Sequence, residues 1–291
     1  MADFDRDGDL DLAIATSFPN DSAIAPRIGL LTNDGTGAFS EAKEFLLEGQ
    51  ALLGFGHIVA ADFDADGWLD LASGSGSSLS LLSNDHAGGF VVSQLTGLTR
   101  VVGLEAADLD GNGSVDLAMS GNVGDMGDMG EVGTLINDGH GAFTLGAHHM
   151  VAPSSCHNIG ISDLDGDTFP EIAVANPKAK GVSVLRNRGD GTFEDQRLLG
   201  TGAAHSLLLA DFNGDSWVDM AVAGIHPLEG MVVLSNDRHG GFVTGERFSA
   251  LPYDMPIALT SGDFNEDGAP DVATAGDSRP LMVWLNAGAA P

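Results

Sequence analysis

Cysteine is nearly absent from this chain: Cys156 is the only one. A single thiol cannot form an intramolecular disulfide, so stability outside a cell has to come from packing or bound ions. Basic residues are also scarce, with 12 Lys and Arg against 42 Asp and Glu, giving a net charge of −30 over 291 residues. That field repels phosphates and anionic headgroups, which argues against nucleic acid and acidic membrane surfaces as partners. No apolar run approaches the roughly 20 residues of a membrane span, so no membrane insertion is expected. The opening Met1 to Asp5 lacks the basic and apolar regions of a signal peptide. Forty-one glycines and 11 prolines punctuate the chain and leave no long amphipathic window, which argues against helix. Catalytic signatures are missing too: there is no Gly-x-Ser-x-Gly elbow, phosphate loop, HExxH or Cys-x-x-Cys. Cys156 beside His157 makes a poor nucleophile and base pair, because adjacent strand residues point to opposite faces.

What is present is a repeat. An aspartate-rich nonapeptide occurs six times, starting at Asp3, Asp62, Asp108, Asp163, Asp211 and Asp263, at intervals of 59, 46, 55, 48 and 52 residues. A short apolar segment follows each block, such as Leu69-Asp70-Leu71-Ala72, and reads as a buried strand. Another precedes each block from the second onward, such as Ile58-Val59-Ala60-Ala61. A Gly-rich turn with an Asn-to-Phe spacing of six recurs at Asn33/Phe39, Asn84/Phe90, Asn137/Phe143, Asn187/Phe193 and Asn236/Phe242, and reads as a hairpin. The unit is therefore strand, acid loop, strand, variable loop, strand, hairpin, strand, which is one blade of a β-propeller.

The predicted fold is all-β, a single propeller domain over residues 1–291 with six blade repeats at about 1–50, 51–97, 98–151, 152–200, 201–250 and 251–291. The first repeat lacks its first strand and the last stops before its fourth. Six blade units, or a piece of a seven-bladed propeller, both fit this pattern.

The acid loop has the oxygen donors of a calcium site: side chains at positions 1, 3, 5 and 9 and a backbone carbonyl at position 7. The predicted ligands of the first loop are Asp3, Asp5, Asp7, Asp9 and Asp11, and of the second Asp62, Asp64, Asp66, Trp68 and Asp70. The third set is Asp108, Asp110, Asn112, Ser114 and Asp116, and the fourth Asp163, Asp165, Asp167, Phe169 and Glu171. Asp211, Asn213, Asp215, Trp217 and Asp219 form the fifth, and Asp263, Asn265, Asp267, Ala269 and Asp271 the sixth. Asp9, Trp68, Ser114, Phe169, Trp217 and Ala269 would each offer only the carbonyl. Glycine at position 6 allows a sharp turn with positive φ. Thr168 and Ser216 replace it in the fourth and fifth loops, which predicts weaker sites there. An EF-hand is excluded, since its twelfth position needs a bidentate Glu where these blocks have Ile14, Ser73, Met119, Val174, Val222 and Thr274. Asp and Gly also make good Asx-turns without any ion, but six loops crowding carboxylates into nine residues repel themselves unless a cation intervenes. Six Ca²⁺ would move the net charge from −30 to −18.

The run from Phe55 through Asp62-Phe63-Asp64-Ala65-Asp66-Gly67-Trp68-Leu69-Asp70 to Ala72 resembles the FG-GAP, or VCBS-type, repeat of integrin α-chain heads and many secreted bacterial proteins. The resemblance covers practically the whole chain. It implies a propeller with calcium in the first inter-strand loop of each blade, and an extracellular, cell-surface or periplasmic setting. It also implies membership of a larger secreted or surface protein as one possibility, and roles that range from adhesion and glycan binding to polysaccharide-active enzymes. Fold likeness does not choose among these.

If the acid loops form one face, the variable loops form the other, where a protein or glycan ligand is expected. His57, His157 and His205 precede their acid loops by five or six residues and are candidate ligand-binding groups at the channel mouth, with His226, Arg27, Lys178 and Arg279 around them. The one-residue difference in offset would reverse side-chain direction unless a bulge corrects it. Two functions are carried forward: a calcium-stabilised, non-catalytic binding module, and a polysaccharide-active enzyme of lyase type, or an accessory domain of one, with its site at that mouth.

Overall fold

The computed structural model describes residues 1–16, 26–47, 57–123, 129–151, 158–224, 230–248, 256–276 and 281–286. These residues contain twenty strands and no helix. The first sheet holds β1 (Leu12–Thr16), β2 (Arg27–Leu31) and β3 (Lys43–Leu46). A six-stranded sheet follows, with β4 (His57–Ala61), β5 (Asp70–Asn84), β6 (Phe90–Ala107), β7 (Asp116–Val123), β8 (Met129–Asn137) and β9 (Phe143–Val151) in chain order. Two four-stranded sheets come next. One is β10 (Ile159–Ser162), β11 (Glu171–Asn176), β12 (Gly181–Leu185) and β13 (Arg197–Leu199); the other is β14 (Ala204–Ala210), β15 (Asp219–Gly224), β16 (Met231–Asn236) and β17 (Phe242–Phe248). The last sheet has β18 (Pro256–Gly262), β19 (Asp271–Gly276) and β20 (Met282–Trp284).

All pairings are antiparallel, as expected for strands joined by short turns. The six-stranded sheet is two blades joined without a break. β5 pairs its first residues with β4 and its later ones with β6, while β6 pairs Phe90–Thr96 and Val101 with β5 and runs alongside β7 from Arg100 to Ala107. The outer strand of the second blade therefore runs on as the inner strand of the third. The fold is a β-propeller of six blade repeats, with three strands each in the first and last blades among the described residues, as the sequence predicts.

Strand composition follows position within a blade. β11 (Glu-Ile-Ala-Val-Ala-Asn) is buried at every residue because neighbouring blades cover both of its faces. The outermost β9 alternates toward solvent and carries Thr144, Gly146, His148 and Met150 on exposed or half-exposed positions.

The core lies between blades. Phe4, Ile28 and Leu30 of the first blade pack with Leu71, Leu82 and Phe90 of the second. Phe63 and Ala72 meet Leu104, Leu117 and Leu135 of the third blade, and Leu109 and Val132 meet Ile159, Ile172 and Leu185 of the fourth. Ala173 and Val182 meet Leu207, Met220 and Leu234 of the fifth, and Phe212 and Met231 meet Val272 of the sixth. Each joint is the burial that one blade cannot provide alone. Substantial packing between sheets runs in chain order, β1 on β4, β6 on β10, β10 and β11 on β14, and β14 and β15 on β18.

Hydrogen bonds cross the same joints. The Nδ2 of the hairpin asparagine in each of blades two to six donates to the carbonyl of position 2 in an acid loop of an earlier blade. For Asn84, Asn137, Asn187, Asn236 and Asn286 the acceptors are Phe4, Phe63, Leu109, Leu164 and Phe212, at 2.6–2.9 Å. The partners lie 72 to 80 residues apart. A buried carboxamide satisfied in this way is costly to break, because the carbonyl it leaves behind loses its partner.

Candidate metal centres

All six acid loops fold on one hydrogen-bond circuit. The amide of position 6 donates to the Oδ2 of position 1 in every loop, at 2.7–3.1 Å. The amide of position 7 donates to the Oδ1 of position 5 at 2.7–3.0 Å. These bonds are Asx-turns that aim the side-chain oxygens inward. Thr168 and Ser216 take φ of 79° and 70° at position 6 and keep the circuit, so the loop backbone forms there without glycine. Position 4 is left-handed as well, at Gly111, Gly166 and Gly214 and also at Arg6, Ala65 and Glu266, a requirement the sequence reading missed although three loops place glycine there.

The position-9 carboxylate has a second task. Its one oxygen accepts the amide of position 2 at 2.7–3.1 Å. Its other accepts the amide of the hairpin asparagine at 2.6–3.3 Å. Asp11, Asp70, Asp116, Glu171, Asp219 and Asp271 are all buried and tie loop to hairpin. Sequence spacing showed these residues as ligands alone and missed the tie, whose hairpin half lies 14 to 22 residues downstream.

Carboxylates converge in four loops. Ligand oxygens of Asp3, Asp5 and Asp11 lie within 4.8 Å of one another, as do those of Asp62, Asp64 and Asp66, of Asp108, Asp110 and Asp116, and of Asp163, Asp165 and Glu171. Burial pushes the carboxyls of Asp70, Asp116 and Asp219 up, and the other acids of each loop push the same way. Burial, followed by the charges of Asp165 and Asp167, takes Glu171 to about 7. Asp5 is raised by burial and by Asp11. A divalent cation would reverse each of these penalties. One oxygen, Asp3 Oδ1, is buried with no hydrogen-bond partner, and it belongs to such a cluster. The donor set and this orphaned oxygen fit a hard cation.

Basic side chains reach some loops and not others. Arg186 contacts Asp165 at 2.6 Å and Asp167 at 3.3 Å, and Arg238 reaches Asp215 at 2.9 Å. His86 reaches Asp66 at 2.5 Å and stacks on Trp68, whose other neighbour is the Arg6 guanidinium 4.6 Å from the ring centre. Trp68 thus packs within the acid-loop face. Trp217 lies against Gly166, and Trp284 packs on Phe248.

The opposite face is described only in part. His57 is half-buried on β4, and burial holds its imidazole below the usual range. His205 sits on β14 at a register shift between Ala204 and Ser206, the bulge that its extra residue of offset calls for. Arg27 is engaged by Glu44 at 2.6 Å. Lys178 lies in the turn of residues 177–180, where Lys180 has φ of 58°. His157, His226 and Arg279 lie outside the described residues. Also on this side, the carboxylate of Glu131 is buried and bonded to His148 at 2.6 Å.

Fold and loops define the class: a β-propeller whose blades each carry an acid loop on one face. The comparisons with known proteins supply the family. A family model for the FG-GAP-like repeat matches residues 3–73, 62–119, 163–222 and 211–274, and the chain belongs to that family. No curated protein matches it. A solved lectin of Agrocybe aegerita, described for specific recognition of non-reducing terminal N-acetylglucosamine, is similar at 17% identity and a TM-score of 0.59, over 95% of this chain and 80% of the lectin. The V. cholerae biofilm matrix protein Bap1 is similar at 18% identity and a TM-score of 0.53, over 90% of this chain. The chain spans 40% of Bap1. At these identities the likeness is one of fold. No helix among the described residues is long and apolar enough to cross a membrane.

Proposed function

We propose that this protein is a calcium-stabilised, extracytoplasmic propeller that binds a glycan or protein through the face opposite its acid loops, without catalysis. The observation that carries the calcium part is the convergence of three carboxylates in each of four loops whose backbones are already closed by Asx-turns. Preorganised, self-repelling oxygens are what a Ca²⁺ site needs and what no ion-free surface turn requires. Predicted ligands are the side chains at positions 1, 3 and 5, with position 9 contributing where its oxygen joins the cluster, as at Asp11, Asp116 and Glu171. The binding role draws on the lectin likeness and on the variable loops of the far face.

Titration calorimetry with CaCl₂ on EDTA-treated protein tests the ion, and a glycan array with calcium present tests the ligand. Heat of binding at several sites, together with retention of a defined sugar, is the expected result. Absence of any Ca²⁺ heat defeats the first half, and an array blank in both calcium and EDTA defeats the glycan form of the second. Of the basic residues expected around the channel mouth, Arg27 is already engaged by Glu44.

A further inference from the structure

We infer that the outer faces of the first and last blades are each the open half of an inter-blade joint, and that the occupant between them is a further four-stranded blade of the same repeat. The five internal joints supply the standard. At each, the position-2 side chain of an acid loop is buried: Phe4, Phe63, Leu109, Leu164 and Phe212 are 9% exposed or less. The sixth counterpart, Phe264, is 50% exposed. On the same blade, Leu281 is 64% exposed where the corresponding Met231 is at 2%. Across the gap, Ile14 of the first blade is 44% exposed, whereas Ser73, Met119, Val174, Val222 and Thr274 at its position are 7% or less.

The hydrogen bonds show the same two open halves. Five hairpin asparagines donate both to their own blade and across the joint. Among the described residues Asn33 makes only the first of these bonds, to the Leu10 carbonyl at 3.3 Å. No side chain among the described residues donates to the carbonyl of Phe264. One donor and one acceptor of a joint made five times over are therefore both open, at opposite ends of one molecule.

Charge decides the occupant. At three joints position 4 of one loop meets position 7 of the next, Arg6 over Trp68, Gly111 against Phe169 and Gly166 against Trp217, while Gly214 opposite Ala269 leaves that slot open. Docking the sixth blade directly on the first, in the same molecule or in a second copy, would put Glu266 against Asp9 in that slot. Two carboxylates there repel, so the fitting partner is a blade with an aromatic, neutral or basic residue at position 7 and a small or basic one at position 4.

The test joins a second copy of residues 188–248 after Asn286. This completes the sixth blade and adds one that presents Trp217 to Glu266 and Gly214 to Asp9. Expected is a calcium-loaded, monomeric protein melting about 5 °C or more above the 291-residue chain. Phe264→Asp should be nearly silent in the shorter chain and should remove that gain in the longer one. A second measurement does not depend on folding of the extension: Glu266→Lys in the 291-residue chain should let the end faces mate, seen by light scattering as self-association or by melting as closure. An unchanged melt of the extended chain overturns the proposal. So does self-association of the unmodified chain that Phe264→Asp abolishes, which would make the occupant a second copy. A Phe264→Asp loss in the unmodified monomer equal to that of Phe212→Asp would also overturn it, because the chain would then be closing on itself.

Discussion

The third and fourth acid loops share a backbone circuit and a buried position-9 carboxylate, yet they neutralise their charge differently. Around Asp108, Asp110 and Asp116 no basic side chain among the described residues comes within ion-pair distance. Around Asp163, Asp165 and Glu171 the Arg186 guanidinium already holds Asp165 and Asp167. The third loop therefore has no charge partner of its own among the described residues, whereas the fourth has an internal one that any metal ion would have to displace or share. The fifth loop, with Arg238 on Asp215, belongs with the fourth. Sequence pointed to the same two loops as weak, but for the loss of glycine at position 6, which Thr168 and Ser216 tolerate. The arginines are the better reason.

The broadest way to break this contrast is to remove all metal. With six sites at ten times their dissociation constant, Ca²⁺ would contribute on the order of 8 kcal/mol, so EDTA should lower the melting temperature far beyond any ionic-strength effect. A melt unchanged by chelation ends the argument for ion dependence in either class of loop.

Next in size is the division of labour within a loop. Asp116→Ala removes two hydrogen bonds that backbone amides donate to a buried carboxylate and should cost about 3–5 kcal/mol in EDTA and at least as much in calcium. Asp110→Ala should cost stability in calcium and little in EDTA. Urea melts of both variants under both conditions check this, and equal losses in EDTA would deny position 9 its tie.

A third test uses pH. Glu171 in the fourth loop and Glu105 on the inner strand of the third blade are each pushed up to about 7, chiefly by burial. Between the ordinary value and 7 the folded state holds a proton that the unfolded state has lost, so stability is full below about 4.5 and falls as pH rises through 7. Each group accounts for about 3 kcal/mol over that window. Metal-free protein should thus be more stable at pH 5 than at pH 8. Glu105→Gln should remove one part of the slope and calcium the part due to Glu171. A slope unaltered by both would remove the electrostatic account.

The smallest effect sharpens the comparison most directly. Arg186→Gln should tighten Ca²⁺ binding at the fourth site several-fold by calorimetry, and no counterpart exists for the third. In the same sense Asp64→Ala should cost more than Asp215→Ala in calcium, because Arg238 already serves the fifth loop. Unchanged affinity, or a reversed order of losses, would show that the arginines are bystanders.

Much of this architecture could be read directly from residue types. Aspartates at alternate positions, an apolar run beyond them and Asn-Gly hairpins at a period near 50 residues identify blades, because each signal is local and its partners lie within about nine residues. Even the bulge at His205 was foreseeable, since one extra residue ahead of the acid loop has to be absorbed somewhere. The asparagine hairpin itself was legible, but not its bond to a carbonyl more than 70 residues away. Left-handed backbone at Arg6, Ala65 and Glu266 has no signal in those side chains, and only the glycines at the same position of the third, fourth and fifth loops point to it.

Sequence by itself settled that this chain is a repeated all-β body with oxygen-rich loops, because short-range spacing dictates both strand and turn. Only the assembled fold decided which carboxylates face one another, which are claimed by arginine, and which end faces stay open. Those outcomes depend on how one blade lies against the next, and that distance in space has no counterpart in the spacing along the chain.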